Sequence, residues 1–484
     1  MSYSFYRNSL AIWLSNALVK PLWILWIDRS IQNQVGPEAY GTYYQWFNLS
    51  LLLAVLLDGG MANYWNQRIA SGGFKGGEMS RMLRLKGILW VIYLMGTLGI
   101  AAGLGFGGDS LLWISLLGVL QGLMFLNLLW RAGLAGQQKF VLEGILSAGD
   151  KAIMILLSVP LLQGKAYWTG NILHDFVIIQ VIGAMSITII SAFIHHSKSE
   201  TKLDQPQPNS FVDLIDSRTE KIWWKTWLPF GVLGLIMTAY FRLDVVVLRL
   251  WGNGGALDQG WYAASYRLLD AVLMLPLLLG QMWVGRFAFL ERNLEQIHRL
   301  LNQSASLLIG IGLAGIFIAF PRLQEWMAWW YPASVSTTPV YLILGWHILA
   351  FLPMALNVLL GSLLTAHRAF GKLIPLHSVA LLIHFLLLGL WVPESGALGA
   401  AQACAITHTL AMIAQWALVS VEYEWNPWKH LWKSVAALLA IGFITVSAFA
   451  LLNYPLGLWQ EGLVTCIGFA LALGWIFTKN SRLT

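Results

Sequence analysis

Apolar runs close to twenty residues long recur from one end of this 484-residue chain to the other, separated by short polar segments. About 20 residues of helix cross a hydrocarbon core of ~30 Å. Lipid offers no partner for a free backbone N–H or C=O, so each run must be helical. The runs predict helices near 9–28, 41–64, 86–107, 111–131, 143–162, 171–194, 226–248, 261–285, 303–320, 338–364, 373–392, 396–420, 431–453 and 456–477. Tryptophan and tyrosine gather at several ends, as in Trp223, Trp224, Trp261, Tyr262, Trp329, Trp330 and Tyr331. Half-polar rings suit the membrane–water interface. The pattern predicts an all-α polytopic membrane protein with about fourteen transmembrane helices.

Charge placement orients these helices. With the N-terminus in the cytoplasm, 22 of the 30 Lys and Arg fall in inside segments. Only Arg29, Lys165, Arg249 and Arg322 fall outside, and Lys20, Lys151, Arg242 and Arg267 lie within spans. The positive-inside rule then expects an even number of helices with both termini cytoplasmic, fourteen with twelve as the alternative. The net charge of +7 follows this topology and forms no single basic stripe, so nucleic acid is not an expected partner. Only 11% of residues are charged, against roughly 25% in soluble domains. Cys404 and Cys466 both sit in apolar runs, which argues against a disulfide framework or a zinc site. The first apolar run carries Lys20 and lacks a small-residue cleavage site, so it is expected to stay as the first helix.

The longest hydrophilic segment, 195–225, holds Lys198, Lys202, Pro206 and Pro208 and reads as a linker. It suggests a six-helix lobe over 1–197, a cytoplasmic linker over 198–225, a second six-helix lobe over 226–425, and two further helices over 426–484. An internal repeat supports two lobes. Val35-Gly36-Pro37-Glu38-Ala39-Tyr40-Gly41-Thr42-Tyr43 precedes the second helix, and Ala256-Leu257-Asp258-Gln259-Gly260-Trp261-Tyr262 precedes the eighth. Both give a polar loop, then Gly-x-Tyr, then a long apolar helix. Short basic turns containing Lys139 and Arg368 follow the fourth helix of each half. Both halves start inside, so the repeats are parallel.

The motifs Val35 to Gly41, then Asp58-Gly59-Gly60-Met61 followed by Arg68-Ile69-Ala70, form one signature. Asp244 to Leu248, Gly260 to Arg267 and Leu275-Pro276 form a second. Leu363 to Arg368 and Gly396 to Ala401 complete the set. In order and spacing this set resembles the polysaccharide-transporter family, the Wzx-type O-antigen flippases of the multidrug/oligosaccharidyl-lipid/polysaccharide (MOP) exporter superfamily. The resemblance spans about residues 8–425. It implies a MATE-like fold of two six-helix lobes around a cavity. It also implies alternating access and movement of undecaprenyl-pyrophosphate-linked oligosaccharide to the outer leaflet of the cell inner membrane.

Intramembrane charges are the candidate site residues, because a charge at the bilayer centre costs roughly 2.5–3.5 kcal/mol on insertion scales. Lys20 lies about 16 Å into the first helix. Asn16, Lys20 and Trp23 share one face with Trp13, and Pro21 follows directly. A polar, aromatic, cationic stripe suits the pyrophosphate and sugar of a lipid-linked glycan. Arg242 and Arg267 are candidate phosphate ligands, since guanidinium offers two parallel donors. With Asp244 and Asp270 they form either a gate or a static ion-pair network. Asp58 is expected to pair with Arg68 or another basic neighbour near the surface. Asp150 and Lys151 are adjacent and expected to need separate partners, one of them being a candidate coupling site for H+ or Na+. His347, His377, His384 and His408 show no metal-ligand spacing and read as polar packing contacts, with a proton-relay role left open.

No Gly-x-x-x-x-Gly-Lys-Ser/Thr motif occurs, and neither a cofactor nor a metal is expected. No outer loop exceeds about twenty residues or carries an acidic cluster, so a membrane glycan polymerase or ligase is the weakest reading, and the chain reads as no enzyme. A cation-coupled multidrug exporter and a peptidoglycan lipid-precursor flippase remain alternatives within the superfamily. Membrane lipids and a polysaccharide polymerase machinery are the remaining expected partners.

Overall fold

A computed structural model describes residues 18–70, 78–137, 139–199, 217–290, 293–332, 340–452 and 458–481. The described residues are helical throughout, joined by short turns. The elements are α1 (18–35), α2 (Pro37–Leu52), α3 (Met61–Ala70), α4 (Glu78–Gly103), α5 (Gly108–Gly136), α6 (Phe140–Ser158), α7 (Ile172–Ser199) and α8 (Ser217–Trp251). There follow α9 (Gly255–Leu290), α10 (Leu294–Ala319), α11 (Leu323–Trp330), α12 (Val340–Ala366), α13 (Phe370–Glu422), α14 (Pro427–Leu452) and α15 (Leu458–Ser481). Among the described residues, nine helices are long and apolar enough to cross a membrane. One of them, α13, is two helices joined at Gly396, whose φ of 53° only glycine adopts readily. The expected spans 373–392 and 396–420 meet at this bend. Among the described residues the architecture is all-helical, as the apolar runs predict.

The outer faces follow from the solvent. Met95, Leu156, Phe193, Phe289, Leu390 and Val421 are exposed on long helices, an arrangement that lipid stabilises and water would not. Most polar side chains inside the bundle are matched instead to backbone carbonyls or to each other.

The chain forms two compact units. The first comprises Met1–Leu250 with Gly255–Gly260, and the second Trp251–Gly254 with Trp261–Thr484. In the first unit the expected helix over 41–64 is not continuous. α2 ends at Leu52, a 3-10 turn covers Ala54–Leu57, and α3 begins at Met61. Asp58 breaks the helix by accepting hydrogen bonds from the Gly60 and Ala62 amides at 3.1 and 3.2 Å, which caps α3. Gly59 and Gly60 follow at φ of 46° and 99°, a path closed to most side chains. α8 lies against this break, with Gly234 packed on Val55 and Gly231 on Gly59.

Candidate functional site

The first unit gathers five charged side chains inside its helical segments. They come from α1 (Lys20), α5 (Arg131) and α6 (Glu143, Asp150 and Lys151). Pro21, which follows Lys20, has no N–H to give to the preceding turn. The helix then widens into a π-turn over Trp23–Asp28, and the Arg29 amide reaches back five residues to the Ile24 carbonyl. Such single π-turns often occur at functional positions. The widened turn presents the Trp23 ring, which is buried and stacks on Phe176 of α7 at 5.4 Å with an interplanar angle of 8°. The Lys151 ammonium lies over the same ring, 5.5 Å from the centroid. This cation–π contact contributes more when desolvated, up to about 2 kcal/mol.

Asp150 and Lys151 do not take separate partners. The Lys151 Nζ lies 3.5 Å from Asp150 Oδ2, because a four-carbon stem is long enough to fold back on its neighbour. The other carboxylate oxygen, Asp150 Oδ1, is buried and accepts no hydrogen bond among the described residues. Arg131 donates through Nε to Glu143 Oε1 at 3.0 Å, with Nη2 making a second bond to the same oxygen. Lys20 is half-buried and lies within electrostatic range of Arg131, Asp150, Lys151 and Glu143. Its ammonium makes no ion pair or hydrogen bond with another described residue. Three cations thus face two carboxylates, leaving one net positive charge, one ammonium without a bonded partner and one carboxylate oxygen in need of a donor. Such a set can take an anion on Lys20 and a hydroxyl or amide donor on Asp150.

Asp58 has a different environment. Its partner is Lys86 of α4, whose Nζ donates to Asp58 Oδ1 at 2.9 Å and to the Leu57 and Phe125 carbonyls at 3.0 and 3.1 Å. All three ammonium protons are used, and the pair is buried. Lys86 was counted with the inner-surface cations because the apolar run begins beside it. The helix in fact starts at Glu78, so Lys86 lies about 12 Å inside it. Arg68, the other expected partner, lies on α3, and its side chain is outside the described residues.

Arg242 donates through Nη1 to Asn48 Oδ1 of α2 at 3.1 Å, and Asp244 is buried two residues further along α8. Both belong to the first unit. Arg267 and Asp270 belong to the second, where they pair along α9 at 3.6 Å. Asn16 and Trp13 lie outside the described residues.

Arg131, Glu143 and Lys86 were not singled out from the sequence, because each sits near a helix end where a charge is ordinarily solvated. The signal that would have found them is the register of the helices. Each lies inside a helix that begins or ends several residues beyond its apolar run.

No family model and no curated protein sequence matches the chain. Its fold matches solved structures. A structure of the lipid II flippase MurJ in an inward closed conformation superposes with a TM-score of 0.69 at 13% identity, covering 99% of each chain. A MOP superfamily transporter from Pyrococcus furiosus matches with a TM-score of 0.63 at 16% identity, over 87% of this chain and 95% of that one. An outward-facing multidrug resistance MATE family transporter matches with a TM-score of 0.59 at 16% identity, over 87% and 95%. The chain therefore has the fold of the MOP superfamily transporters.

Proposed function

We propose that this chain is a flippase for a lipid-linked oligosaccharide. It moves an undecaprenyl-pyrophosphate-linked O-antigen or other surface-polysaccharide repeat unit from the inner to the outer leaflet of the cytoplasmic membrane by alternating access. The observation that carries the reading is the intramembrane set of Lys20, Trp23, Asp150 and Lys151. A pyrophosphate needs a cation and a sugar needs hydroxyl acceptors, and one cluster supplies both. Two further points support it. The MurJ structure is matched along 99% of this chain, whereas the MATE structures leave over a tenth of it unmatched. The motif Val35 to Gly41 resembles the polysaccharide branch.

In this reading the protein performs no covalent chemistry, its termini lie in the cytoplasm of the cell, and a polymerase or ligase in the outer leaflet consumes the product. The test is deletion of the gene in its own host, with lipid-linked glycan in the inner membrane and surface polysaccharide measured together. Accumulated undecaprenyl-linked oligosaccharide with lost surface glycan, reversed by the wild type, is expected. Unchanged lipid-linked sugar with altered drug sensitivity would instead assign a cation-coupled multidrug exporter. Arrest of cell-wall synthesis with accumulated peptidoglycan lipid precursor would change the cargo but keep the flippase.

A further inference from the structure

The second unit contains a buried polar network that the cargo reading does not use. It joins α12 to both segments of α13. Gln415 Nε2 donates to Asn357 Oδ1 at 3.1 Å and lies 3.1 Å from His377 Nε2. Asn357 Nδ2 donates to the His408 carbonyl at 3.0 Å. His384 Nδ1 lies 2.9 Å from Thr407 Oγ1. All six side chains are buried.

The bonds fix where a proton is held. An amide nitrogen only donates, so His377 Nε2 accepts from Gln415 and is unprotonated here. The Thr407 hydroxyl already donates to the Ala403 carbonyl at 2.6 Å. His384 Nδ1 therefore donates to Thr407, and Nε2 is its basic nitrogen. His408 lies within electrostatic range of His384 and His377, so a second proton on the trio would be repelled by the first.

Two further histidines lie at the end of α13 nearer the network. His377 lies about 10 Å from the start of α13, and His384 about 10 Å deeper. At the same end of the unit, His367 Nδ1 lies 2.6 Å from the Tyr423 hydroxyl, and His298 Nε2 lies 2.6 Å from the Tyr423 carbonyl. Both of these histidines are half-buried.

We propose that His377, His384 and His408, with Asn357, Thr407 and Gln415, form a binding site for a single proton. It is loaded from the end of the unit that carries His298 and His367. The proton's role as coupling ion rests on the transport reading above. Protonating His377 at Nε2 turns an acceptor into a donor, so the Gln415 amide must rotate to offer its oxygen. That rotation removes the Gln415–Asn357 bond, one tie between α12 and the second segment of α13. Proton uptake is thereby linked to helix packing, and a conformation that hydrates the trio is favoured by acid.

Other ionisable groups on the packed elements are accounted for. α12 has no Asp, Glu, Lys or Arg between Val340 and Ala366, and its remaining titratable groups are Tyr341 and His347. His347 is bonded to Ser265 at 2.7 Å. On α13, Lys372 pairs with Glu422 at 2.9 Å at the helix ends, Glu394 stands beside the bend, and Cys404 is buried. α10 carries Glu295, His298 and Arg299 in its first turns, and α11 carries Glu325. On α9, Arg267 pairs with Asp270, and Arg286 lies over the Phe289 ring.

The test reads conformation without needing cargo. Spin labels are placed at the exposed positions Ser80 and Gln296 of the full chain, with Cys404→Ala and Cys466→Ser, in lipid nanodiscs. Inter-label distances are measured by pulsed electron resonance between about pH 8 and about pH 4, a window wide enough for an imidazole whose burial disfavours the charged form. The wild-type distribution is expected to shift with pH, His347→Gln to shift alike, and His408→Gln and His377→Gln each to lose the shift. His377→Gln keeps the rest of the network in place and serves if His408→Gln does not purify as a single species. A distribution that ignores pH, or a shift that survives both substitutions, overturns the proton site. Glycan accumulation in the deletion strain tests the cargo separately, so either reading can fail alone.

Discussion

Gly41 and Gly260 stand so close that a β-carbon on either would meet a carbonyl oxygen at 1.8 Å, that of Ala256 for Gly41 and that of Pro37 for Gly260. Each glycine thus faces the residue four places before the other. Both are the glycine of a Gly-x-Tyr step, so the contact obeys the internal repeat that the sequence displays. Gln32 adds a side-chain bond to the Gly260 carbonyl at 3.0 Å. Gly41→Ala and Gly260→Ala must push backbone apart, and overpacking of this kind costs about 1–3 kcal/mol. Gly285→Ala meets nothing within 4 Å and serves as the control. Both test substitutions are expected to lower the unfolding temperature of detergent-purified protein clearly below the control. Three coincident melting curves would count against the contact.

The Asp58–Lys86 pair leads to a second expectation. Removing one partner of a buried ion pair costs about 3–5 kcal/mol, because the other charge is left in a low-dielectric interior. Asp58→Ala and Lys86→Ala should each destabilise the first unit severely. Lys86→Met combined with Asp58→Leu restores much of the loss, though not the two caps on Gly60 and Ala62. Fluorescence-detected gel filtration after graded heating measures this. Strict additivity of the single effects would show that the pair is not coupled.

The apolar runs made the spans readable, since about twenty residues of Leu, Ile, Val and Phe admit no other structure in lipid. The bend at Gly396 was readable for the same reason. The break at Leu53–Gly60 was not, because its residues are apolar enough to continue a span, and it is Asp58's bonds to backbone and the positive φ of Gly59 and Gly60 that end it. Lys20 and Trp23 were legible as a face of one helix. Their neighbours Arg131, Glu143 and Phe176 come from other helices, and no periodicity within one segment reports a contact between segments. The grouping of the three histidines was not legible for the same reason. His377, His384 and His408 have no common spacing, and the bend that turns one segment of α13 back beside the other brings them together.

Replacing Lys20 tests the candidate site directly. Lys20 has no protein partner among the described residues, so Lys20→Ala should leave folding nearly unchanged. Export of surface glycan should fall at least about tenfold, the equivalent of one lost ammonium–phosphate contact of roughly 1.4 kcal/mol or more. Lys20→Arg keeps the charge and should retain most export. Lys151→Ala should fall between them, because it also loses the Trp23 contact. Full complementation by Lys20→Ala, at wild-type protein levels, would remove this residue from the site.

Pro21 separates the shape of the first helix from its charge. A proline in a helix interior costs roughly 3 kcal/mol, and the π-turn over Trp23–Asp28 begins two residues after Pro21. The turn is also held from outside. Asp28 accepts from the Tyr40 hydroxyl at 2.8 Å, and Trp23 stacks on Phe176. Pro21→Ala returns the missing N–H, so the unfolding temperature should stay level or rise. If the widened turn is what aims Lys20 and Trp23 together, the straightened helix should nevertheless lose glycan export. Deleting Leu25 is the harsher form of the same test. It removes the extra residue of the π-turn, so the helix closes to regular α geometry while the residues on either side keep their register. A variant that gains stability and keeps full export would show that the turn only accommodates proline and has no part in positioning the site.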